Sequence, residues 1–292
     1  MADLNLVKQL RNMTQAGFQD CKLAIEKFNG DLQLACKYLR EKGLAKAAKK
    51  AGAIAAEGAI IVKNNADYAL IVEINCQTDF VTKNNAFITL SDNIATTLLD
   101  AEVSSIDQLV DVKLVNNESI SEACKNLSGK IGEKIIVRRF DKVAKNENQD
   151  IGIYQHANKK YGAIVLFANK LADQLKKQIA MHIVARNPKF IDNNQVDKKW
   201  LEDEKQVIHS NSSFGNKPAS IVEKILNGKL QKKLAEVCLY NQEFDFQPDI
   251  TVGQLLKNNN NSIIKFIRYE VGEGIEVIKK DFAAEVAEQM SK

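Results

Sequence analysis

The sequence predicts an α+β fold in which paired strands feed into helices, and three observations carry that prediction. Tyr68, Leu70, Val72 and Ile74 alternate with Ala69, Ile71 and Glu73, a β-branched run with the two-residue period of a strand. The order strand, turn, strand, helix then occurs twice along the chain, a pattern that suggests an internal duplication. Helical periodicity fills the stretches before, between and after these units.

The first 43 residues read as a three-helix module of the ubiquitin-associated (UBA-like) kind. Leu6, Val7, Leu10 and Met13 share one helical face, and Gly17 interrupts the pattern. Phe18, Cys21, Leu23, Ile25 and Phe28 form a second stripe, ended by Asn29 and Gly30. Asp31 is placed as N-cap of a third helix, whose apolar face is Leu32, Ala35, Tyr38 and Leu39 and which Gly43 is expected to stop. Residues 44–58, rich in Ala and Lys, follow as a helix or helical linker. Residues 59–140 form a first core subdomain: two strands joined by a turn at Asn64 to Asp67, a helix with Phe87, Leu90, Ile94 and Leu98 inward, a helical stretch from Ile106 to Lys130, and a strand from Ile135 to Phe140. Residues 141–190 and 240–274 form the second: strands at Ile151 to His156 and Tyr161 to Ala168, a helix carrying Leu175, Ile179 and Ile183, and a last strand from Ile263 to Val271. Between its two parts, residues 191–239 read as an inserted helical hairpin. Val196 to His209 goes out, the loop around Ser212 to Gly215 turns, Pro218 opens a return helix through Leu226, and a further helix runs to Tyr240. Residues 275–292 read as a terminal amphipathic helix.

Composition excludes several classes. With 292 residues and 45% hydrophobic content the chain can fill more than one core. Its 41 basic and 37 acidic residues leave +4, so no overall field demands nucleic acid or membrane. The longest apolar stretches fall short of the roughly 20 residues of a membrane helix, and Met1 to Leu10 lacks the order of a signal peptide, so a cytoplasmic protein is expected. Cys21, Cys36, Cys76, Cys124 and Cys238 are scattered without metal or redox spacing, and His156, His182 and His209 are isolated. Phosphate-loop, HExxH and GxSxG signatures are missing, and Gly272 with Gly274 is too little for a dinucleotide fingerprint. No enzyme chemistry, metal or cofactor is expected, and a binder of macromolecules is.

One segment departs from the regular pattern. After the strand, Asn75, Gln77, Thr78 and Asp79 suit a turn, yet Phe80 and Val81 follow at once, before Asn84 and Asn85. Two readings stay open: Phe80 folds back on its own core, or it stands exposed for a partner to cover, forgoing roughly 1.5 to 3 kcal/mol of burial until then.

The chain resembles the bacterial elongation factor Ts family. The matching segments are LVKQLRNMTQAGFQDCKLAIEKFNGD from Leu6, KAAKKAG at Lys46 to Gly52, EINCQTDFV at Glu73 to Val81, YQH at Tyr154 to His156, IAMHI at Ile179 to Ile183, TVGQLLK at Thr251 to Lys257, and FIRYEVGEGIE at Phe266 to Glu276. Gln15 departs from the small residue common there. The resemblance implies a guanine-nucleotide exchange factor without covalent chemistry, whose partner is elongation factor Tu. It implies that Thr78, Asp79, Phe80 and Val81 dock on that partner's nucleotide-binding domain and dislodge the Mg2+ holding GDP, with Phe80 as apolar wedge and Asp79 as polar group. His156 is expected as a further contact, with a hydrogen-bonded turn histidine as its alternative. The hairpin at 191–239 is expected to serve either a homodimer or two-to-two complex, or the partner. Two rival functions remain, RNA binding through Lys37, Arg40, Lys42, Lys46, Lys49 and Lys50, and a hydrolase in the core.

Overall fold

The computed structural model of the chain describes residues 3–14, 16–211 and 218–276. Helices α1 (Leu4–Thr14), α2 (Phe18–Lys27) and α3 (Leu32–Lys50) close on a small core of Val7, Leu10, Cys21, Ala24, Ile25, Ala35 and Leu39. Asp31 caps α3, its Oδ1 accepting from the Gln33 and Leu34 amides at 2.9 Å each. Met13 and Leu23 face outward instead of joining their expected stripes. The buried row of α1 is Val7, Leu10 and Thr14, at spacings of three and four, which leaves Met13 about 100° off it. Thr14 tolerates burial because its hydroxyl donates to the Leu10 carbonyl at 2.7 Å.

Gly43 does not stop α3. The helix runs on to Lys50, so the first part of the expected helical linker is a continuation of α3, while Glu57 and Gly58 already belong to the first strand. The reason lies in α6 (Ile120–Ile131), on which α3 packs at backbone contact. A Cβ added at Gly129 would stand 2.5 Å from the Gly43 carbonyl carbon. Glycine is needed here for close approach, not for a turn.

Strands β1 (Glu57–Asn64), β2 (Tyr68–Cys76) and β3 (Ile136–Ala144) form an antiparallel sheet in that order, with Ile61 opposite Val72 and Val72 opposite Phe140. A second antiparallel sheet has the order β4 (Asp150–Gln155), β5 (Tyr161–Phe167), β8 (Ile263–Glu270), with Ile164 between Ile153 and Ile267. β3 extends beyond the expected Phe140 and pairs Ala144 with Tyr68, so the division at 140/141 would cut a strand. The two sheets face each other through Ile60, Val62, Ile71, Val143, Ile151, Ile164 and Ile267. They approach closely at Gly162, where a Cβ would meet the Val62 and Ile60 methyls at 2.7 and 2.8 Å.

The outer face of the first sheet is covered by α5 (Asn85–Asp100) and α6, with Leu70, Val72, Ile74, Phe87, Ile94, Leu98 and Ile120 in one core. β2 is therefore buried on both faces, and its alternation hides in a nearly continuous buried run. Helix α7 (Asp173–Arg186) covers the second sheet through Ile179, Ala180 and Ile183. The expected helix from Ile106 to Lys130 is broken. A 3-10 turn at Ile106–Val110 leads to an antiparallel bridge of Lys113 with Ser119, and α6 starts only at the Ser119/Glu122 capping box.

The hairpin consists of α8 (Lys198–Ser210) and a single α9 (Ala219–Val237) in place of two helices. Asn227 and Gly228 do not end α9, because Leu230 and Leu234 beyond them are buried with Val196 and Cys238. A small ribbon of β6 (Glu243–Phe244) and β7 (Gln247–Thr251) then leads to α10 (Val252–Asn258), started by a Thr251/Gln254 capping box. The expected loop at Ser212 to Gly215 and most of the expected terminal helix lie outside the described residues.

Candidate partner-binding loop

β2 ends in the buried Cys76 and hands over to a four-residue helix, α4 (Asp79–Thr82), through Gln77 and Thr78. Burial, reinforced by the carboxylates of Glu133 and Glu57, pushes the Cys76 thiol up to about 12. Its Sγ donates to the Thr78 carbonyl at 3.1 Å. It is a protonated packing group and not a nucleophile.

Thr78 is held by one carboxylate. Its amide donates to Glu133 Oε2 at 2.9 Å and its hydroxyl to Glu133 Oε1 at 2.8 Å. The next residue repeats the arrangement, for the Lys134 amide donates to Gln77 Oε1 at 3.1 Å. Within α4, consecutive side chains point about 100° apart. Val81 goes inward, 4% exposed in the core of the first sheet, and Phe80 outward at 76% exposed. The reading in which Phe80 folds back on its own core is thereby excluded. Asp79 is also exposed and pairs with Lys83 at 3.5 Å, whose Nζ lies 5.7 Å from the centre of the Phe80 ring. Beyond Lys83, Asn84 Oδ1 accepts from the Ala86 amide at 2.8 Å and starts α5.

Behind this loop, Glu73 is fully buried in β2. Its carboxylate accepts from Arg138 Nη1 at 3.0 Å, Arg139 Nε at 2.6 Å and the Gly272 amide at 2.8 Å. Burial alone would push this carboxyl up; the Gly272 amide and the two guanidinium groups outweigh it and hold it below the ordinary glutamate value. Gly272 has φ +75° and a Cβ there would sit 2.3 Å from the Ala56 carbonyl oxygen, so only glycine can bring this amide in. Two segments quoted separately from the sequence, EINCQTDFV and FIRYEVGEGIE, thus meet on one carboxylate.

His156 stands on the other sheet, in the turn between β4 and β5. Its amide donates to the Tyr161 carbonyl at 2.9 Å, its carbonyl accepts from Lys159 at 2.8 Å, and its ring lies edge-on to Tyr154 and Tyr161. The ring lines a cleft of about 520 Å³ with Met181, His182, Phe246 and Arg268, bringing the YQH and IAMHI segments together. Of the basic run considered for RNA, Lys42 is engaged by Asp20 at 2.9 Å, and the side chains of Lys46 and Lys49 lie outside the described residues. Among the described residues no three His, Cys, Asp or Glu side chains gather as a metal site. Glu133, Arg138 and Arg139 were not anticipated from the sequence; the one available hint was that the two matching segments flank opposite ends of the same core.

The family model described as Elongation factor TS matches residues 77–273, beginning at the loop itself. An elongation factor Ts of Malacoplasma penetrans (strain HF-2) is 42% identical over 288 residues, covering 98% of each chain. The chain belongs to the elongation factor Ts family. It is therefore a translation elongation factor. Among the described residues no helix is long and apolar enough to cross a membrane.

Proposed function

We propose that the chain binds GDP-bound elongation factor Tu in the cytoplasm and promotes GDP release by displacing the partner's Mg2+, after which GTP reloads. The observation that carries this reading is the exposed Phe80 on a helix whose next residue is locked in the core. Such a wedge delivers its burial energy only when a partner covers it. Mg2+ demands near-ideal octahedral oxygen coordination at about 2.0 to 2.1 Å, so a small displacement of its ligands weakens it sharply. In this reading Phe80 pushes, Asp79 supplies the polar group, and Thr78 and Val81 hold the loop. No covalent step is involved. By linkage, whatever affinity the chain loses when GDP binds, GDP loses when the chain binds. We further read the three N-terminal helices as a UBA-like module, the two sheets with their helices as a duplication, His156 as an additional contact, and the hairpin at 191–239 as a surface for a second copy or for the partner.

The test is stopped-flow release of a fluorescent GDP analogue from elongation factor Tu across a Mg2+ series, with wild type, Phe80→Ala and Asp79→Ala. Both variants alter exposed side chains and should melt like wild type, within about 0.5 kcal/mol. Both should release GDP more slowly at millimolar Mg2+, and the gap to wild type should narrow on chelation. A gap that stays constant across the series would move the loop's action away from the metal. No gap at any concentration would remove the loop from the exchange step.

A further inference from the structure

We infer that Glu133 is the positioning residue of this loop: it fixes Thr78, and through it α4, in the orientation that presents Phe80. The inference rests on the reading of Thr78 to Val81 as the partner-binding segment. A four-residue helix cannot hold itself, since the first turn costs more conformational freedom than its single hydrogen bond returns. Its orientation must come from outside. Val81 supplies one anchor in the core. A single anchored side chain still leaves the segment free to rock about it.

The second anchor is Glu133. Thr78 occupies the N-cap position of α4, where a threonine hydroxyl ordinarily accepts from a helix amide; here it makes no such cap and donates to Glu133 instead. The Thr78 amide goes to the other oxygen of the same carboxylate. Two donors on one residue, fixed to two oxygens of one anion, define that residue's backbone and side-chain orientation together. Glu133 itself is placed by α6: Gly132, left-handed at φ +85°, caps that helix and turns the chain toward the loop. The Lys134 amide on Gln77 repeats the hold one residue further on.

Loosening this hold lowers the fraction of molecules that present Phe80 correctly, and apparent affinity falls by that fraction while the fully bound complex is unchanged. Glu133→Gln keeps the side-chain size and one acceptor but turns an amide nitrogen toward one of the Thr78 donors. The concentration for half-maximal GDP release should rise about tenfold, with the plateau rate at saturation and the melting temperature retained. Thr78→Val, which keeps the amide bond, should cost about threefold, Thr78→Ser, which keeps the hydroxyl donor as well, less than Thr78→Val, and the double variant Glu133→Gln/Thr78→Val no more than Glu133→Gln alone. Site-resolved alkylation of Cys76, shielded beneath the loop, should quicken in Thr78→Val, which keeps the Glu133 charge beside the thiol, without any partner present. Wild-type half-saturation in Glu133→Gln, a lowered plateau, or additive losses in the double variant would each overturn the inference. If Glu133→Gln does not fold, Thr78→Val against Thr78→Ser decides, and equal exchange by the two refutes it. Phe80→Ala run alongside separates the two failures: a fast Phe80→Ala sinks the loop reading itself, whereas a slow Phe80→Ala with a fast Glu133→Gln sinks only the role of Glu133.

Discussion

Replacing Gly129 by alanine tests how the N-terminal helices are held. The new methyl would lie 2.5 Å from the Gly43 carbonyl carbon and oxygen and 2.8 Å from its Cα, all backbone atoms that no rotamer change can move. Restoring a contact of about 3.5 Å requires α3 to lift by roughly 1 Å along its crossing with α6. Overpacking of this kind costs about 1 to 3 kcal/mol. Alanine also favours the α6 helix by up to about 1 kcal/mol, but that gain is present whether or not α3 is docked. The docking equilibrium therefore feels the whole clash, a factor of about 5 to 150. Gly43→Ala is the control, because a Cβ there meets its nearest atom at 3.4 Å, an ordinary contact, in a helix interior that prefers alanine. Amide hydrogen exchange reads both variants. Gly129→Ala should speed exchange across α1 to α3 by that factor and leave β2 protected, while Gly43→Ala should match wild type or exchange more slowly. Equal behaviour of the two variants, or wild-type protection in Gly129→Ala, would show that α3 is not held at this crossing.

Acid stability should report Glu73. Its carboxyl is depressed in the folded state, so the stability it contributes is fully present above the unfolded glutamate value of about 4.3 and is lost as pH falls through its folded value. Glu73→Gln should cost about 3 kcal/mol near neutral pH, the low end for a broken buried pair because Arg138 and Arg139 keep 24% and 30% exposure, and should flatten the acid limb of a denaturation series; an unaltered limb would mean that other carboxylates set it. His156→Ala should melt within about 1 kcal/mol of wild type, since the backbone bonds of its turn remain, and should weaken partner binding about threefold. Calorimetric titration giving wild-type affinity would leave His156 as a turn residue alone.

The strands were legible because β-branched alternation survives in β1, β2, β4 and β5 whatever covers them. Asp31 and Pro218 were legible as helix starts for a similarly local reason. Gly43 was misread because helix-interior glycine is locally unfavourable, and what makes it acceptable is Gly129, far along the chain. A domain cut at Gly43 would have severed α3 in its middle. The exposure of Phe80 stayed undecided since the polar turn argued for it and hydrophobicity against; Val81 entering the core decides it, and that needs the fold. Glu133 carried no sequence signal, since its chemistry appears only when residues 55 apart are brought together.

The meeting of Glu73 with Gly272 also constrains the order in which the molecule is completed. Arg138 leaves the ribosome 65 residues after Glu73, but the Gly272 amide follows at 199. At about 5 to 20 residues per second the carboxylate waits roughly 10 to 40 s for its last partner. In that interval β1, β2 and β3 are already present, whereas β8, which completes the covering sheet, is not. The face bearing Ile60, Val62 and Ile71 is then covered only by β4 and β5, a ribbon still lacking its third strand, and such incompletely packed apolar surface on a nascent chain aggregates or recruits chaperones. Closure of the sandwich and the last hydrogen bond to the buried carboxylate arrive together, as β8 and Gly272 emerge.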